Sequence, residues 1–193
     1  GDLVFLPRSP REAIEAKIAY CSEDRKHDGL FLGRPIMENI SAPSLKSISN
    51  LGIRSTAKEE DLSRDISAKF TVDASRLTSE AGVLSGGNQQ KVALGKWLSI
   101  DPKVILVNEP TRGVDVGARA EIYQKLRDLA AQGSAIVIAS TDIQEITNLP
   151  DRVISFYRGA MITEIELENI NAIKILSSIT DPYSETNMQK EVN

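Results

Sequence analysis

The stretch KVILVNEPTRGVDVGARAEIYQKLRDLAAQGSAIVIAS, residues 103–140, decides the fold. It starts with an apolar run at 103–107 and ends with another at 134–140, and both runs have the length of buried strands. The residues between them have helical spacing, with three apolar side chains on one face: Ile122, Leu126 and Leu129. Two apolar strands joined by a helix form a βαβ unit, which implies a parallel sheet buried on both faces. The sequence therefore predicts an α/β fold.

Polar residues follow both predicted strands. Asn108 and Glu109 come after the first strand, and Ser140 and Thr141 lie at the end of the second. Ligands of parallel sheets bind at the carboxyl ends of the strands. Many nucleotide hydrolases hold Mg²⁺ and orient a water molecule at an acidic strand end of this kind. The same residues also suit an ordinary turn set by Pro110, and this stretch by itself does not decide between the two readings.

Composition and charge exclude several classes of protein. The 193 residues are 41% hydrophobic and 26% charged, which is ordinary for a globular domain with a core. The net charge of −4 argues against nucleic acid as the main partner, because a phosphate backbone demands a basic surface. The single cysteine, Cys21, rules out a disulfide framework. No apolar run approaches the roughly 20 residues of a membrane span, and no secretory leader is expected.

The segment LSGGNQQK, residues 84–91, combines a serine and two glycines with the start of a predicted helix at 88–98. At a helix N-terminus these residues leave backbone N–H groups exposed at the positive end of the helix dipole. This arrangement suits an anion. The alternative is a glycine-rich turn with an ordinary serine cap, and Ser85-Gly86-Gly87 without further context favours that alternative.

The middle of the chain differs from the rest in composition. Residues 36–80 are polar and rich in serine, and a capping box formed by Thr56 and Glu59 predicts a helix at 57–69. We interpret this segment as a small helical insert. Before it, KIAYC at 17–21 is predicted to be a further short buried strand.

Four ordered motifs extend these observations: EDRKHDGL (23–30), ENI (38–40), LSGGNQQKV (84–92) and NEPTRGVDVGARAEIY (108–123). Together they resemble the ABC-transporter nucleotide-binding domain. The resemblance is greatest to the second, C-terminal half of the tandem ATPase subunits of bacterial sugar importers of the ribose, galactose and xylose type. It extends from about residue 8 to about residue 165, and its signature motif is highly specific.

The resemblance implies an organisation for the whole chain. The fold would be an incomplete P-loop-NTPase-like parallel sheet with flanking helices and a small helical ABC subdomain. Residues 1–35 and 81–180 would form a partial ATPase core that lacks the Walker A region. Residues 36–80 would be the helical signature subdomain, which docks on a membrane subunit, and 181–193 a polar tail.

The resemblance also implies roles for individual residues. In such ATPases two domains sandwich ATP head to tail, and the signature of one domain grips the γ-phosphate held by the other. The residues that would fill this signature role across the interface are Ser85, Gly86, Gly87, Asn88 and Gln89. Asp115 would match the D-loop, and Glu23 would stand at the position of the Q-loop glutamine.

The chain departs from the family pattern in three places. No G-x-x-x-x-G-K-[ST] motif occurs in the 193 residues, and the chain is expected to begin just after the place of the P-loop. Asn108 stands where the Walker B aspartate is expected, and a neutral amide is a poor ligand for the hard cation Mg²⁺. Thr141 occupies the position of the switch histidine. Glu109, at the position of the catalytic base, remains, in a site that we expect to be degenerate.

These departures suggest that the chain donates its LSGGNQ signature to ATP bound by a partner half and has little or no ATPase activity by itself. Two alternatives remain: a self-sufficient ATPase, against which the missing P-loop argues, and a structural or regulatory remnant without a transport function. ATP and Mg²⁺ are expected in the assembled complex, whereas neither is firmly expected for the isolated chain.

The resemblance implies partners and a location as well. The partners would be the N-terminal ABC half of the same subunit or a second ATPase chain, together with transmembrane permease subunits. The location would be the cytoplasm, at the inner face of the cell membrane. Without the P-loop strand and helix, apolar sheet surface near 104–107 and 136–138 would be partly uncovered, so we also expect self-association.

Overall fold

The structure is a computed structural model of the chain and describes residues 5–180. The chain forms two compact units, Gly1–Ala139 and Ser140–Asn193. The boundary between these units, after Ala139, does not coincide with the domain boundaries predicted from the sequence. Those domain boundaries stay a prediction. The polar tail predicted at 181–193 lies outside the described residues.

The first unit is built from short strands and helices of mixed length. Its helices are α1 (Pro10–Glu15), α2 (Ile36–Ser41), α3 (Leu45–Ile48), α4 (Thr56–Phe70), α5 (Gly86–Gly95) and α6 (Val116–Ala131). Its strands are β1 (Ile18–Cys21), β2 (Ser49–Asn50), β3 (Ile53–Arg54), β4 (Val104–Asn108) and β5 (Ala135–Ala139).

A parallel sheet with the strand order β1-β4-β5 forms the centre of this unit. Its register aligns Tyr20 with Leu106 and Leu106 with Val137. The connection from β4 to β5 runs through α6, whose apolar stripe is buried, so the βαβ unit predicted from the sequence is confirmed. Gly133 follows α6 and has a positive φ of 97°. A glycine adopts this backbone without strain because it has no Cβ atom.

The two faces of the sheet differ in cover, so the prediction that both are buried is wrong. On one face the β1 and β4 residues Ala19, Cys21, Ile105 and Val107 are buried. On the opposite face Tyr20 is 53% exposed and Val137 is 56% exposed. A cavity of about 300 Å³ opens beside this second face, between α1 and the side chains of Ile18 and Leu106. The reason is packing: α5 covers the first face, whereas the described helices cover the second only in part.

Residues 36–80 are mainly helical, with a minimal hairpin of β2 and β3. The core between α2 and α4 contains the side chains of Ile36, Ile40, Ile66 and Phe70. The predicted capping box is wrong by one residue, since Ser55 rather than Thr56 caps α4 and accepts a hydrogen bond from the Lys58 N–H. Glu59 does not reach back to the cap. Its buried carboxylate instead accepts hydrogen bonds from the Ser41 hydroxyl, at 2.6 Å, and from Arg54.

The second unit contains α7 (Ile143–Asn148), the antiparallel strands β6 (Arg152–Tyr157) and β7 (Ala160–Glu166), and α8 (Ala172–Thr180). Its small core consists of Val153, Ile165 and Ile175, with partly buried isoleucines around them. In neither unit does any described helix have the length and apolarity to cross a membrane.

Candidate functional site

Ser85 caps the helix that begins the signature segment. Its backbone is extended, and its hydroxyl accepts a hydrogen bond from the Asn88 N–H at 3.4 Å, so α5 starts at Gly86. The helix predicted at 88–98 is therefore α5, continued by a 3₁₀ segment at Lys96–Ile100. Ser85 is exposed, and Asn88 is half-buried. The start of α5 thus presents a hydroxyl and the positive end of a helix dipole to solvent.

The two glycines of the signature permit close contact with the loop that follows β4. A Cβ atom on Gly86 would lie 2.9 Å from the carbonyl oxygen of Gly113. A Cβ atom on Gly87 would lie 2.8 Å from the Cβ of Ala118, in the first turn of α6. Any larger side chain would push the two segments apart, so packing requires glycine at both positions.

Gln89 faces inward. Its side chain is buried, and its amide donates a hydrogen bond to the Leu84 carbonyl oxygen at 3.2 Å. The neighbouring Gln90 is also buried, with its amide 4.0 Å from the Cys21 sulfur. The Gln89 amide ties the start of α5 to the preceding loop. The contact between Gln89 and nucleotide stays a prediction.

The chain turns sharply where β4 ends. Asn108 is the last residue of β4, and Glu109 has a left-handed backbone with φ of 48°. The Glu109 N–H donates a hydrogen bond to the Ala139 carbonyl oxygen at 2.8 Å, which holds this turn against the end of β5. A non-glycine residue in this region of backbone space is strained, and such strain is concentrated at functional sites and switches. Both side chains are half-buried.

Asp115 caps α6. Its carboxylate accepts a hydrogen bond from the Ala118 N–H at 3.0 Å, and a Cβ on Gly87 would lie 3.6 Å from that carboxylate. The residue predicted as the D-loop aspartate and the signature glycine are therefore neighbours. The capping of α6 is by itself a sufficient reason for an aspartate at position 115. The D-loop role of Asp115 stays a prediction.

Arg25 connects the segment predicted as the Q-loop to the loop after β4, and sequence patterns gave no sign of this. Its guanidinium donates hydrogen bonds to the carbonyl oxygens of Arg112, at 2.7 Å, and Gly113, at 3.3 Å. Glu23, two residues earlier, forms an ion pair with Arg112 at 2.7 Å. The partners are more than 80 positions apart in the chain, so no local periodicity could reveal them.

The backbone at Arg25–Gly29 is a single π-helical turn, a conformation that often marks functional sites. Asp24 caps this turn, since its carboxylate accepts hydrogen bonds from the backbone N–H groups of Lys26 and His27. Hydrogen bonds from the backbone and ring of His27 lower the pKa of Asp24. His27 itself is exposed.

Two titratable groups, one on β1 and one directly after α5, have shifted pKa values. Burial raises the pKa of the Cys21 thiol to about 11. Burial likewise lowers the pKa of Lys96, whose ammonium donates a hydrogen bond to the Gly29 carbonyl oxygen. Cys21 is therefore an uncharged core residue at neutral pH rather than a nucleophile.

Thr141, at the predicted switch position, belongs to the second unit and is exposed. The neighbouring Ser140 hydroxyl donates a hydrogen bond to the buried Glu145 carboxylate at 2.6 Å and accepts one from the Asp142 N–H. This arrangement shapes the start of α7. The role of Thr141 stays a prediction.

The fit of these residues to ATP and Mg²⁺ differs between the two loops. The signature loop offers an exposed hydroxyl and a helix N-terminus, which suit a phosphate. At the end of β4, Asn108 and Glu109 supply one amide and one carboxylate, a weak donor set for Mg²⁺. Within residues 5–180 no cluster of three or more His, Cys, Asp or Glu side chains is placed to hold a metal.

Solved structures share this fold. A nucleotide-free ATP-binding cassette from an ABC transporter matches with a TM-score of 0.71 and 21% sequence identity, over 91% of this chain and 72% of that one. A dimeric ATP-binding cassette, MJ0796, in a post-hydrolysis state bound to ADP and Pi, matches with a TM-score of 0.67 and 23% identity, over 78% and 63% of the two chains. At these identities the likeness shows the fold, and the predicted P-loop-NTPase-like α/β class is confirmed.

Curated relatives are more similar in sequence. Ribose import ATP-binding protein RbsA 1 of Rhizobium meliloti (strain 1021) is 40% identical over 173 residues, which is 90% of this chain and 34% of the relative. Arabinose import ATP-binding protein AraG of the same strain is 42% identical over 179 residues, or 92% and 35%. The chain thus spans about a third of the length of these relatives. The sequence profile of the ABC transporter family matches residues 5–112, more than half of the chain. The chain therefore belongs to the ABC transporter family, as its four motifs predict.

Proposed function

We propose that the chain is the signature-donating part of a carbohydrate importer ATPase. In this proposal Ser85, Gly86, Gly87 and Asn88 contact the γ-phosphate of ATP whose remaining contacts come from a partner half. The observation that carries the proposal is the geometry of the signature loop. Its serine is exposed at a helix N-terminus, and both glycines are packed against the loop after β4.

The relatives supply the substrate class. Several of them are import ATP-binding proteins for ribose or arabinose, at about 40% identity over nearly the whole of this chain. The MJ0796 cassette is dimeric in a state bound to ADP and Pi, which supports an arrangement of two cassettes around nucleotide. Both points support a role in sugar import that depends on a second cassette.

The strand-end loop of this chain is proposed to be a degenerate site. Asn108 stands where a carboxylate that would hold Mg²⁺ is expected, and a neutral amide is a poor ligand for this hard cation. ATP and Mg²⁺ would accordingly be held mainly by the partner half. Glu109 would be a remnant of the catalytic base, and Thr141 a replacement for the switch histidine.

The proposed partners follow from the family. The nucleotide partner is the N-terminal ABC half of the same subunit or a second ATPase chain. Residues 36–80 would form the subdomain that docks on a transmembrane permease, at the cytoplasmic face of the membrane. Glu23 would lie near this docking region.

The first experiment measures ATP hydrolysis with Mg²⁺ by the chain, by a P-loop-bearing cassette half of a tandem importer subunit, and by the two mixed. We expect background rates from the chain and a gain on mixing. Robust turnover by the chain without a partner would contradict the proposal.

The second experiment introduces Ser85→Arg into the mixed enzyme. A bulky cation at the γ-phosphate contact should lower turnover by about 100-fold or more, the size of effect seen when one transition-state donor is removed. Ser55→Arg is a matched control, because Ser55 caps α4 with a hydrogen bond of the same length, 3.4 Å. Both variants lose a cap, so equal activities for the two would show that Ser85 acts only as a cap.

The second candidate function is a structural or regulatory remnant without transport activity. Asn108 and Thr141 favour it, because both replace residues that hydrolysis uses in the family. This candidate predicts no gain of turnover on mixing and the same result for Ser85→Arg as for Ser55→Arg.

Self-association is a further expectation that the exposed face of the sheet supports. Tyr20, Leu106 and Val137 form one row across the three strands, and two of them are more than half exposed. Val137→Lys should reduce the mass measured by light scattering, because a charge cannot be buried in an apolar contact without a large cost. If the unsubstituted chain is a monomer at the same concentration, the expectation of self-association is wrong.

A further inference from the structure

Three segments that are distant in the sequence meet at one guanidinium. Arg25 belongs to the π-helical turn at Arg25–Gly29, Gly113 to the loop after β4, and Gly86 to the first turn of α5. A Cβ on Gly86 would lie 2.9 Å from Nη2 of Arg25 and also 2.9 Å from the Gly113 carbonyl oxygen. The space left by the missing side chain of Gly86 is thus occupied by the arginine and the carbonyl that it binds.

The hydrogen bonds of Arg25 point to one loop. Its Nη1 donates to the Arg112 carbonyl oxygen and its Nη2 to that of Gly113, so one planar group holds two consecutive peptide units. Its Nε is buried and has no hydrogen-bond partner among the residues that the structure describes. The Arg25 side chain thus leaves one buried N–H without a hydrogen bond while its two terminal nitrogens bind these carbonyl oxygens.

Arg112 is held from its other end by Glu23. That ion pair is 2.7 Å long, and both side chains are substantially exposed, 65% for Arg112 and 43% for Glu23. Exposed pairs of this kind contribute little to stability. The pair links the segment around Glu23 to the backbone that Arg25 fixes.

We propose that Arg25 is a positioning residue that sets the loop 112–115 against the first turn of α5. The signature residues and Asp115 are then presented as a single surface to the nucleotide of the partner. This inference rests on the proposed function and deepens it, since it names the group that holds the signature and the loop after β4 in one arrangement.

The bonding pattern requires an arginine. A guanidinium presents several N–H groups in a fixed plane and binds two acceptors at once, whereas a lysine ammonium is a compact charge on a flexible stem. Arg25→Lys keeps the charge and loses the two-carbonyl geometry. Arg25→Gln removes the charge as well.

The first test measures amide hydrogen exchange in the 193-residue chain and needs no nucleotide. Both Arg25 variants should speed the exchange of the Asn88 and Val114 amides at least tenfold and leave the amides of α4 unchanged. Arg64→Lys is the matched control, because Arg64 forms an exposed pair with Glu60 on α4. Unchanged exchange at Asn88 and Val114 would overturn the proposal. Faster exchange throughout the chain would also overturn it, because the role would then be general support of the fold.

The second test measures turnover of the chain mixed with its P-loop-bearing partner. Arg25→Lys should lower kcat at least tenfold and leave KM for ATP within twofold, because the signature acts in the transition state of the partner site. An unaltered kcat for Arg25→Gln would overturn the proposal. If mixing gives no turnover with the unaltered chain, the proposed function fails, and the exchange measurement still decides whether Arg25 positions the loop.

Discussion

The signature loop and the strand-end loop lie side by side in the first unit and differ in what they retain. The signature loop keeps an exposed serine cap and two glycines that its packing requires. The strand-end loop keeps a sharp, strained turn at Glu109 but has an amide at Asn108, where a carboxylate would suit Mg²⁺. One loop presents a hydroxyl at a helix N-terminus, and the other presents an amide and a carboxylate at a strained turn.

The difference supports the proposal that the two loops serve different sites. The strand-end loop also supports its neighbour, because the Gly113 carbonyl oxygen and Ala118 pack against the signature glycines. The loop after β4 can therefore be required for the geometry of the signature, whatever its own chemistry. The comparison can be tested by disturbing each loop separately.

The largest effect is expected from Gly87→Ala, which pushes the loops apart. The added methyl would lie 2.8 Å from the Cβ of Ala118. We expect a loss of about 1–3 kcal/mol in the free energy of unfolding from overpacking. Turnover in the mixed enzyme should fall by about 100-fold, since a displacement of about 1 Å at a site can have this effect. Gly33→Ala is the control, because a Cβ there meets no atom within 4 Å. Equal melting temperatures and equal rates for the two variants would contradict the packing of the glycines.

A smaller effect is expected in the reactivity of Cys21, which reports on the docking of α5. Its thiol is buried and has a pKa of about 11, so alkylation by iodoacetamide at pH 8 should be at least tenfold slower in the folded chain than in urea. The raised pKa also affects stability. Below pH 9 the thiol is protonated in both states, and between about pH 9 and 11 only the unfolded state loses the proton, so stability falls as the pH rises.

The measurement for Cys21 is mass spectrometry of the labelled chain, which is unambiguous because the chain has a single cysteine. Cys21→Ser provides the blank for label at other residues. Labelling as fast as in urea would show that α5 is not held on β1.

The smallest effect is expected from Asn108→Asp, which restores a carboxylate at the strand end. We expect the ATP hydrolysis of the isolated chain to stay at background, because a Mg²⁺ ligand without a phosphate cradle does not build a site. Calorimetry with Mg²⁺ and ATP checks binding in the same sample. A clear gain in turnover would show that the strand-end loop needs only this one group to act.

Much of the fold could be predicted from local pattern. The apolar runs identified β1, β4 and β5, and the stripe at Ile122, Leu126 and Leu129 identified α6. The start of α4 was misplaced by one residue because adjacent Ser55 and Thr56 both suit a cap. Strand hydrophobicity predicted a sheet buried on both faces, because it does not reveal which faces have helices to pack on them. The exposure of apolar sheet surface, seen at Val137, was expected only from the family resemblance.

The motif residues of the candidate site could be predicted from the sequence, but the contacts that hold them in place could not. Ser85 and the glycines were identified by their order relative to NEPTRGVD. The Arg25 contacts join residues 87 and 88 positions apart, and the inward turn of Gln89 depends on the Leu84 carbonyl. Such contacts depend on tertiary packing, which leaves no periodic trace in the sequence.

The most direct test of the central claim compares Ser85→Arg and Glu109→Gln in the same mixed enzyme, by steady-state ATP hydrolysis. If this chain donates a signature and its own strand end does not hydrolyse, Ser85→Arg should lower turnover by about 100-fold or more. Glu109→Gln should stay within about twofold of the parent, as for a substitution outside the working site. The opposite ranking, with turnover lost in Glu109→Gln and kept in Ser85→Arg, would contradict the account.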